Sequence, residues 1–154
     1  TDLRNANFTK ANLYKVNFSK SNLNYANLHQ ANLAKARFDR ANLARTDLSE
    51  VKGEQANFYH ADLSHAKLRK AKLKQASFHY ANLVHVDFFG ADLEMANFNE
   101  ANLHQANLRY ATLRNANLIN ANLLNTDLQG AILKGVLWDD STIWPDGFVP
   151  PQSQ

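Results

Sequence analysis

The 154-residue sequence contains no cysteine, one methionine, three prolines and five glycines. Without cysteine the chain can form no disulfide, hold no iron–sulfur cluster and use no thiolate nucleophile. No apolar run approaches the roughly 18 residues that a membrane-spanning helix needs. The sequence also lacks the basic and apolar segments of a signal peptide. These absences favour a reducing compartment and therefore the cytoplasm. Because the chain begins in phase with the repeat described below, a leader or an N-terminal cap could have preceded it, which leaves the periplasm or the thylakoid lumen open.

The recognised motifs of catalysis are missing as well. There is no Gly-rich phosphate-binding loop, no nucleophile elbow and no zinc-binding His-Glu pair. Serine, histidine and aspartate are dispersed, with no spacing that would set a base beside a nucleophile. We therefore predict that the protein is not an enzyme and that it has no catalytic residues, cofactor, metal site or small-molecule substrate.

What the sequence has instead is one five-residue phrase, repeated in register along most of the chain. From Leu3 to Leu133 every fifth residue is Leu or Phe in 26 of 27 places, and the exception is Gly53. The residue two places earlier is Ala in 20 of the 27, and the residue between them is Asn or Asp in another 20. The last two residues of the phrase vary. A unit repeated in this way predicts a solenoid.

A period of five also predicts the local structure, because it matches neither the 3.6-residue period of a helix nor the two-residue period of a strand. We interpret each phrase as a short extended piece followed by a turn. Ala and Leu or Phe then point inward, and the Asn or Asp between them points outward. A short polar side chain suits a turn, since it bonds nearby main-chain groups and tolerates unusual backbone angles.

The phenylalanines indicate how many sides make one coil. One series with a spacing of 20 residues forms a predicted core ladder of Phe18, Phe38, Phe58, Phe78, Phe98 and Trp138, with Leu118 between the last two. The series through Leu3 and through Leu13 carry no aromatic residue. This segregation predicts four sides per coil, with like residues stacked above like.

The tandem phrases, such as Ala31-Asn32-Leu33 and Ala101-Asn102-Leu103, resemble the pentapeptide-repeat family over residues 1 to about 138. The resemblance implies an all-β fold, a right-handed quadrilateral β-helix of about seven coils of 20 residues. The segment from Trp138 to Phe148 is similar to the end of many cyanobacterial members. We predict a β-helix over residues 1–138 and a C-terminal cap and tail over residues 139–154, of which residues 150–154 are mobile.

The resemblance also implies a kind of function, a non-catalytic module for protein–protein interaction, scaffolding or regulation. The best-characterised relatives are DNA mimics that bind type II topoisomerases such as gyrase, give quinolone resistance and use a strongly acidic surface. This chain has a net charge of +3, which disfavours DNA mimicry. Residues 1–74 carry 14 Lys or Arg and 6 Asp or Glu, and residues 75–154 carry 3 and 8. Self-association along the rod axis, basic end to acidic end, is therefore a further hypothesis.

The densest positive patch lies where the sequence departs most from its phrase. Lys67 and Lys72 take the place of Asn or Asp there, and the patch comprises Lys52, Lys67, Arg69, Lys70, Lys72 and Lys74. This patch either keeps one face of the rod solvated, or it binds an acidic protein surface, a phosphate-bearing ligand, nucleic acid or another polyanion. Nucleic acid would be held by neutralisation of its phosphates.

Rings gather in the same region. A 20-residue coil would stack His65 with His85 and would bring together a cluster of Tyr59, His60, His79 and Tyr80. Two stacked imidazoles could share a metal ion, but we find no convincing third ligand. Packing within the rod and contact with a protein partner are the two remaining interpretations. The outward-facing Phe89 is a further candidate contact residue.

Gly53 stands alone as a missing core side chain. Losing one leucine forfeits about 1.5–3 kcal/mol of burial. We expect Gly53 to mark a small void, a bulge or a place where backbone or another chain approaches.

Overall fold

The computed structural model describes residues 1–152, and up to residue 136 the chain turns at every fifth residue. From the Leu3 turn to the Leu133 turn, the amide of the small residue donates to the carbonyl of the Leu, Phe or Gly three residues earlier, at 2.8–3.4 Å. The third residue of each turn has φ between 53° and 73°. A positive φ at that place is the signature of a type II β-turn.

The chain returns alongside itself every 20 residues. From Asp2 to Asn117, the Asn or Asp position of each phrase forms a parallel bridge with the residue 20 positions later. We call each such 20-residue segment a coil. From the first phrase to the phrase of Leu113, three backbone hydrogen bonds per phrase join successive coils. In the first phrase Leu3 N–H donates to Asn22 O at 2.7 Å, Asn22 N–H to Thr1 O at 2.8 Å and Asn5 N–H to Asn24 O at 3.1 Å.

The bridged residues are isolated, which modifies the predicted all-β fold. Within residues 1–152 the structure contains no helix and no strand longer than a single bridged residue. Because the chain turns every five residues, only the residue at the Asn or Asp position forms a β-bridge with the neighbouring coil. Because this part of the chain has no helix, it has none that could cross a membrane.

The left-handed backbone angles lie at the last residue of each phrase, and the prediction that placed them at Asn or Asp is wrong. The other half of that prediction is right: the Asn or Asp side chain accepts the amide two residues later, as Asn102 Oδ1 does from His104 N–H at 3.1 Å. None of the residues from Asn5 to Gly135 at the left-handed position is Pro, Val, Ile or Thr. These are the residues that a positive φ tolerates least.

The inward side chains stack in columns and form one continuous core. Phe38, Phe58, Phe78 and Phe98 lie face to face, with ring centroids 4.9–5.0 Å apart and planes within 5°. Phe18 sits below Phe38 at 5.5 Å with a tilt of 31°. The hydrophobic inward residues from Leu23 to Leu123 are fully buried.

The space at Gly53 is taken by a neighbouring side chain. A Cβ built on Gly53 would lie 2.9 Å from Cδ2 of Leu73, which holds the same position one coil later. Leu73 is itself fully buried. The missing side chain is therefore compensated by Leu73 instead of opening the predicted space for another chain.

The last coil contains one extra residue. Asn122 pairs with Ile143, 21 positions later, so the pairing continues beyond residue 138. Trp138 and Trp144 pack against the core and meet edge to face at 5.9 Å. Trp138 Nε1 donates to the Pro151 carbonyl at 2.9 Å, which ties part of the predicted tail to the rod. The remaining tail residues, 153 and 154, lie outside the described residues.

The left-handed position predicts that valine is more destabilising there than at the neighbouring residue of the same turn. Gln105 has φ of 57°, so Gln105→Val should lower the free energy of unfolding by about 1–2 kcal/mol through steric strain. His104→Val is the matched control, because Val84 occupies the equivalent place one coil earlier. Chemical denaturation of both variants provides the comparison, and equal losses would contradict the explanation.

The packing at Gly53 predicts that placing leucine there, as in the other phrases, lowers the stability of the fold. Gly53→Leu should cost about 1–3 kcal/mol by overpacking against Leu73. The double variant Gly53→Leu/Leu73→Ala should lose less than the sum of the two single variants, because the side chains compete for one space. Thermal denaturation measures all three, and a raised midpoint for Gly53→Leu would show that the space is open.

Candidate functional site

The six basic residues of the predicted patch fall into two groups. Arg69 and Lys74 are engaged within the rod. Arg69 Nη1 donates to Asp87 Oδ2 at 2.8 Å, and its guanidinium lies 4.5 Å from the centre of the Phe89 ring. Lys74 Nζ donates to Glu94 Oε1 at 3.0 Å. Their charges are therefore largely offset by neighbouring carboxylates.

The other lysines are not paired in this way. Lys52, Lys67, Lys70 and Lys72 are exposed, and in the described part of the chain none has a carboxylate oxygen within 4.0 Å. Three of them border a groove of about 500 Å³, whose walls are Lys10, Gln30, Glu50, Lys52, Lys70 and Lys72. Lys67 lies outside the groove and is bridged to Asp47 on one side and Asp87 on the other. We call Lys52, Lys70 and Lys72 the lysine corner.

The structure brings the four predicted rings into one group, which we call the ring cluster. Tyr59 meets His60 edge to face at 4.5 Å, and His79 meets Tyr80 at 4.2 Å. Between coils, His60 stacks flat on Tyr80 at 4.6 Å, and Tyr59 lies 5.6 Å from His79. Each ring touches two or more of the others, so the cluster is a fixed surface and not four independent side chains.

Two hydrogen bonds to the next coil hold the upper rings. His79 Nδ1 donates to the Asn99 carbonyl at 2.9 Å, and Tyr80 Oη donates to Glu100 Oε1 at 2.9 Å. The bond to Glu100 raises the pKa of the Tyr80 phenol, so the ring stays neutral. Tyr80 remains 39% exposed. Tyr80 is therefore held in place while part of its side chain stays open to contact.

The remaining candidates are less open to a partner. Phe89 is only half-exposed, since Arg69 covers it and the Tyr110 ring meets it edge to face at 5.5 Å. His65 and His85 stack at 4.7 Å. Among residues 1–152 no three His, Cys, Asp or Glu side chains lie close enough together to hold a metal ion.

A turn every fifth residue and a parallel pairing every 20 residues define a solenoid built from five-residue repeats. A family model for pentapeptide repeats matches residues 1–24, 21–52, 56–94 and 96–135. The chain belongs to the pentapeptide-repeat family. The matched segments leave out residues 53–55, where Gly53 interrupts the phrase.

Several solved structures are similar to this chain. HetL, a pentapeptide repeat protein involved in heterocyst differentiation regulation from the cyanobacterium Nostoc sp. strain PCC 7120, is 29% identical over 92% of this chain and 76% of its own, with a TM-score of 0.48. Rfr23 from the cyanobacterium Cyanothece 51142 is 33% identical over 72% of this chain and 65% of its own, with a TM-score of 0.37. A trypsin-treated variant of QnrB1, a plasmid-mediated fluoroquinolone resistance protein, is 17% identical over 87% and 89%, with a TM-score of 0.53. A search of curated proteins found no match.

Proposed function

We propose that the protein is a non-catalytic binding module that presents the ring cluster to a protein partner. The proposal includes the shape of the molecule, a right-handed, four-sided rod of about seven coils. The turn at every fifth residue and the pairing of residues 20 apart support that shape. The observation that carries the function is the packing of Tyr59, His60, His79 and Tyr80 into one surface at a corner of the rod.

The ring cluster has the physical properties of a protein contact site. Aromatic side chains are enriched at the buried centres of interfaces, and tyrosine is prominent among the residues that dominate binding energy. The rings are already held by one another and by Asn99 and Glu100. A partner would therefore bind them at a small cost in side-chain entropy.

The contacts of the two histidines favour binding over catalysis. His79 directs Nδ1 at a backbone carbonyl, and His60 lies flat on the Tyr80 ring. Neither of these contacts places a base beside a nucleophilic oxygen, which acid–base or nucleophilic catalysis would require. A role in positioning a partner fits both contacts.

Mimicry of DNA is the less favoured alternative. The 17% identity to the QnrB1 variant indicates a shared fold alone. A surface that copies DNA must present rows of negative charge, and the lysine corner presents the opposite sign. Self-association along the rod axis stays a prediction.

A comparison of two tyrosine pairs tests the proposal. Immobilised full-length protein would be incubated with extract of the cells that make it, and the bound proteins would be quantified by mass spectrometry. Tyr59→Ala/Tyr80→Ala should reduce capture of the principal partner at least about tenfold, because the lost contacts are worth more than ~1.4 kcal/mol. The control, Tyr25→Ala/Tyr110→Ala, removes two exposed tyrosines from other corners and should retain it.

Thermal denaturation of each bait would first establish that the variants fold. If the ring-cluster variant captures the same proteins in the same amounts as the unaltered chain, the proposal is wrong. It is also wrong if the control variant loses the partner to the same extent, since any exposed tyrosine would then serve.

A further inference from the structure

We propose that the lysine corner binds a compact, multiply charged phosphate anion, such as a diphosphate or triphosphate group. This inference is independent of the proposed protein partner, because it concerns different residues. The lysine corner is Lys52, Lys70 and Lys72, and the groove beside it has a volume of about 500 Å³.

The backbone fixes the lysine corner. Lys52 and Lys72 occupy the paired position of successive coils, which places them about one strand spacing, ~4.8 Å, apart. Lys70 lies two residues before Lys72, at the left-handed residue of the turn, with φ of 54°. Lys10 lines the groove further along the rod. Ammonium groups projecting from one groove can donate several charge-assisted hydrogen bonds to the oxygens of one phosphate chain.

The lysine corner also lacks the compensation found elsewhere on the same rod. Arg69 and Lys74 each have a carboxylate within hydrogen-bonding distance. Within residues 1–152 no ion pair of 4.0 Å or less involves Lys52, Lys70 or Lys72. Like charges held close together repel one another. A bound anion would remove that repulsion. Binding at the lysine corner is therefore more favourable than binding at an isolated surface lysine, which has no such repulsion to lose.

Carboxylates limit the length of the anion. Lys72 is bridged to Asp92 on the next coil, so the column of paired lysines ends there. Glu50 lines the groove between Lys10 and Lys70 and accepts a hydrogen bond from Gln30 at 2.9 Å. A long polyanion running along the rod would meet both carboxylates. The dense positive surface covers little more than two coils, which suits two or three phosphates.

The composition of the groove argues against nucleic acid as the ligand. Proteins that hold single strands combine a basic groove with aromatic rings on which the bases stack. The residues lining this groove are four lysines, one glutamine and one glutamate, without an aromatic ring. The groove therefore recognises phosphate charge and has no group suited to stack on a base.

Calorimetric titration of the full chain with tripolyphosphate at low ionic strength tests the proposal. The double variant Lys52→Gln/Lys72→Gln should bind about tenfold more weakly or worse, since it removes two charge-assisted contacts. The matched control is Lys15→Gln/Lys35→Gln, which removes the same charge from two lysines 20 residues apart at another corner. The control should weaken binding clearly less than the lysine-corner variant, because Lys15 and Lys35 do not line the groove and can offer the anion only longer-range attraction.

A variant expected to tighten binding provides a second test. Glu50→Gln removes the one carboxylate that lines the groove and should tighten tripolyphosphate binding severalfold. ATP and inorganic tripolyphosphate are two sources of the same chemistry. Equal affinity for both would show that the groove recognises phosphate alone, and tighter binding of ATP would assign a nucleotide as the ligand.

Three results would overturn the proposal. The first is the absence of measurable tripolyphosphate binding at low salt. The second is equal weakening by the lysine-corner and control variants, which would mean diffuse attraction by net charge. The third is tighter binding of a single-stranded oligonucleotide than of tripolyphosphate through the same lysines, which would make the ligand a nucleic acid.

Discussion

The left-handed residue at the end of every phrase is the constraint on which the rest of the structure depends. It allows the chain to change direction after one bridged residue, and it does so at each fifth position from Asn5 to Gly135. For a residue with a side chain this conformation costs about 1–2 kcal/mol. Most phrases offset the cost with three backbone bonds to the next coil, and between Leu23 and Leu123 nearly all of them also contribute two buried inward side chains. Because the turns recur without a break, residues 20 apart lie above one another.

Because of this register, the contacts of a surface side chain depend on the residue 20 positions away, one coil above or below it. Lys74 has Glu94 above it and forms an ion pair. Lys52 has Lys72 above it, so the charges add. His60 has Tyr80 above it, and the rings stack. The same geometry therefore produces a neutral pair, a charged groove or an aromatic surface, depending on two residues that are distant in sequence. Functional surfaces on such a rod are therefore formed by residues 20 positions apart, and reading the sequence residue by residue does not reveal these pairs.

The sequence predicted the architecture better than the surface. The five-residue period and the phenylalanine spacing predicted the stacked core, because identical side chains at a fixed interval leave few other arrangements. The unusual backbone angles were expected at Asn or Asp, because short polar side chains are common in turns. The informative signal was the absence of proline and β-branched residues two places after each Leu or Phe. The Lys74 pair with Glu94 could have been found from the 20-residue spacing. The position of the Leu73 side chain beside Gly53 depends on a rotamer, and no sequence pattern specifies it.

The two proposed surfaces lie half a coil apart, and this separation has a consequence for how they would work together. Lys70 and Tyr80 are both left-handed corner residues, and ten residues separate them in a coil of 20. In the proposed four-sided rod, two corners separated by half a coil point in opposite directions, so a protein held at the ring cluster would not cover the lysine corner. Both surfaces also share the same coils, since Lys72 and Tyr80 lie within one coil length of His60. The core between them is a column of fully buried, stacked side chains with little freedom to rearrange. An anion and a protein partner would therefore bind at the same time on opposite sides of the rod, without competition and without a conformational change passing between them.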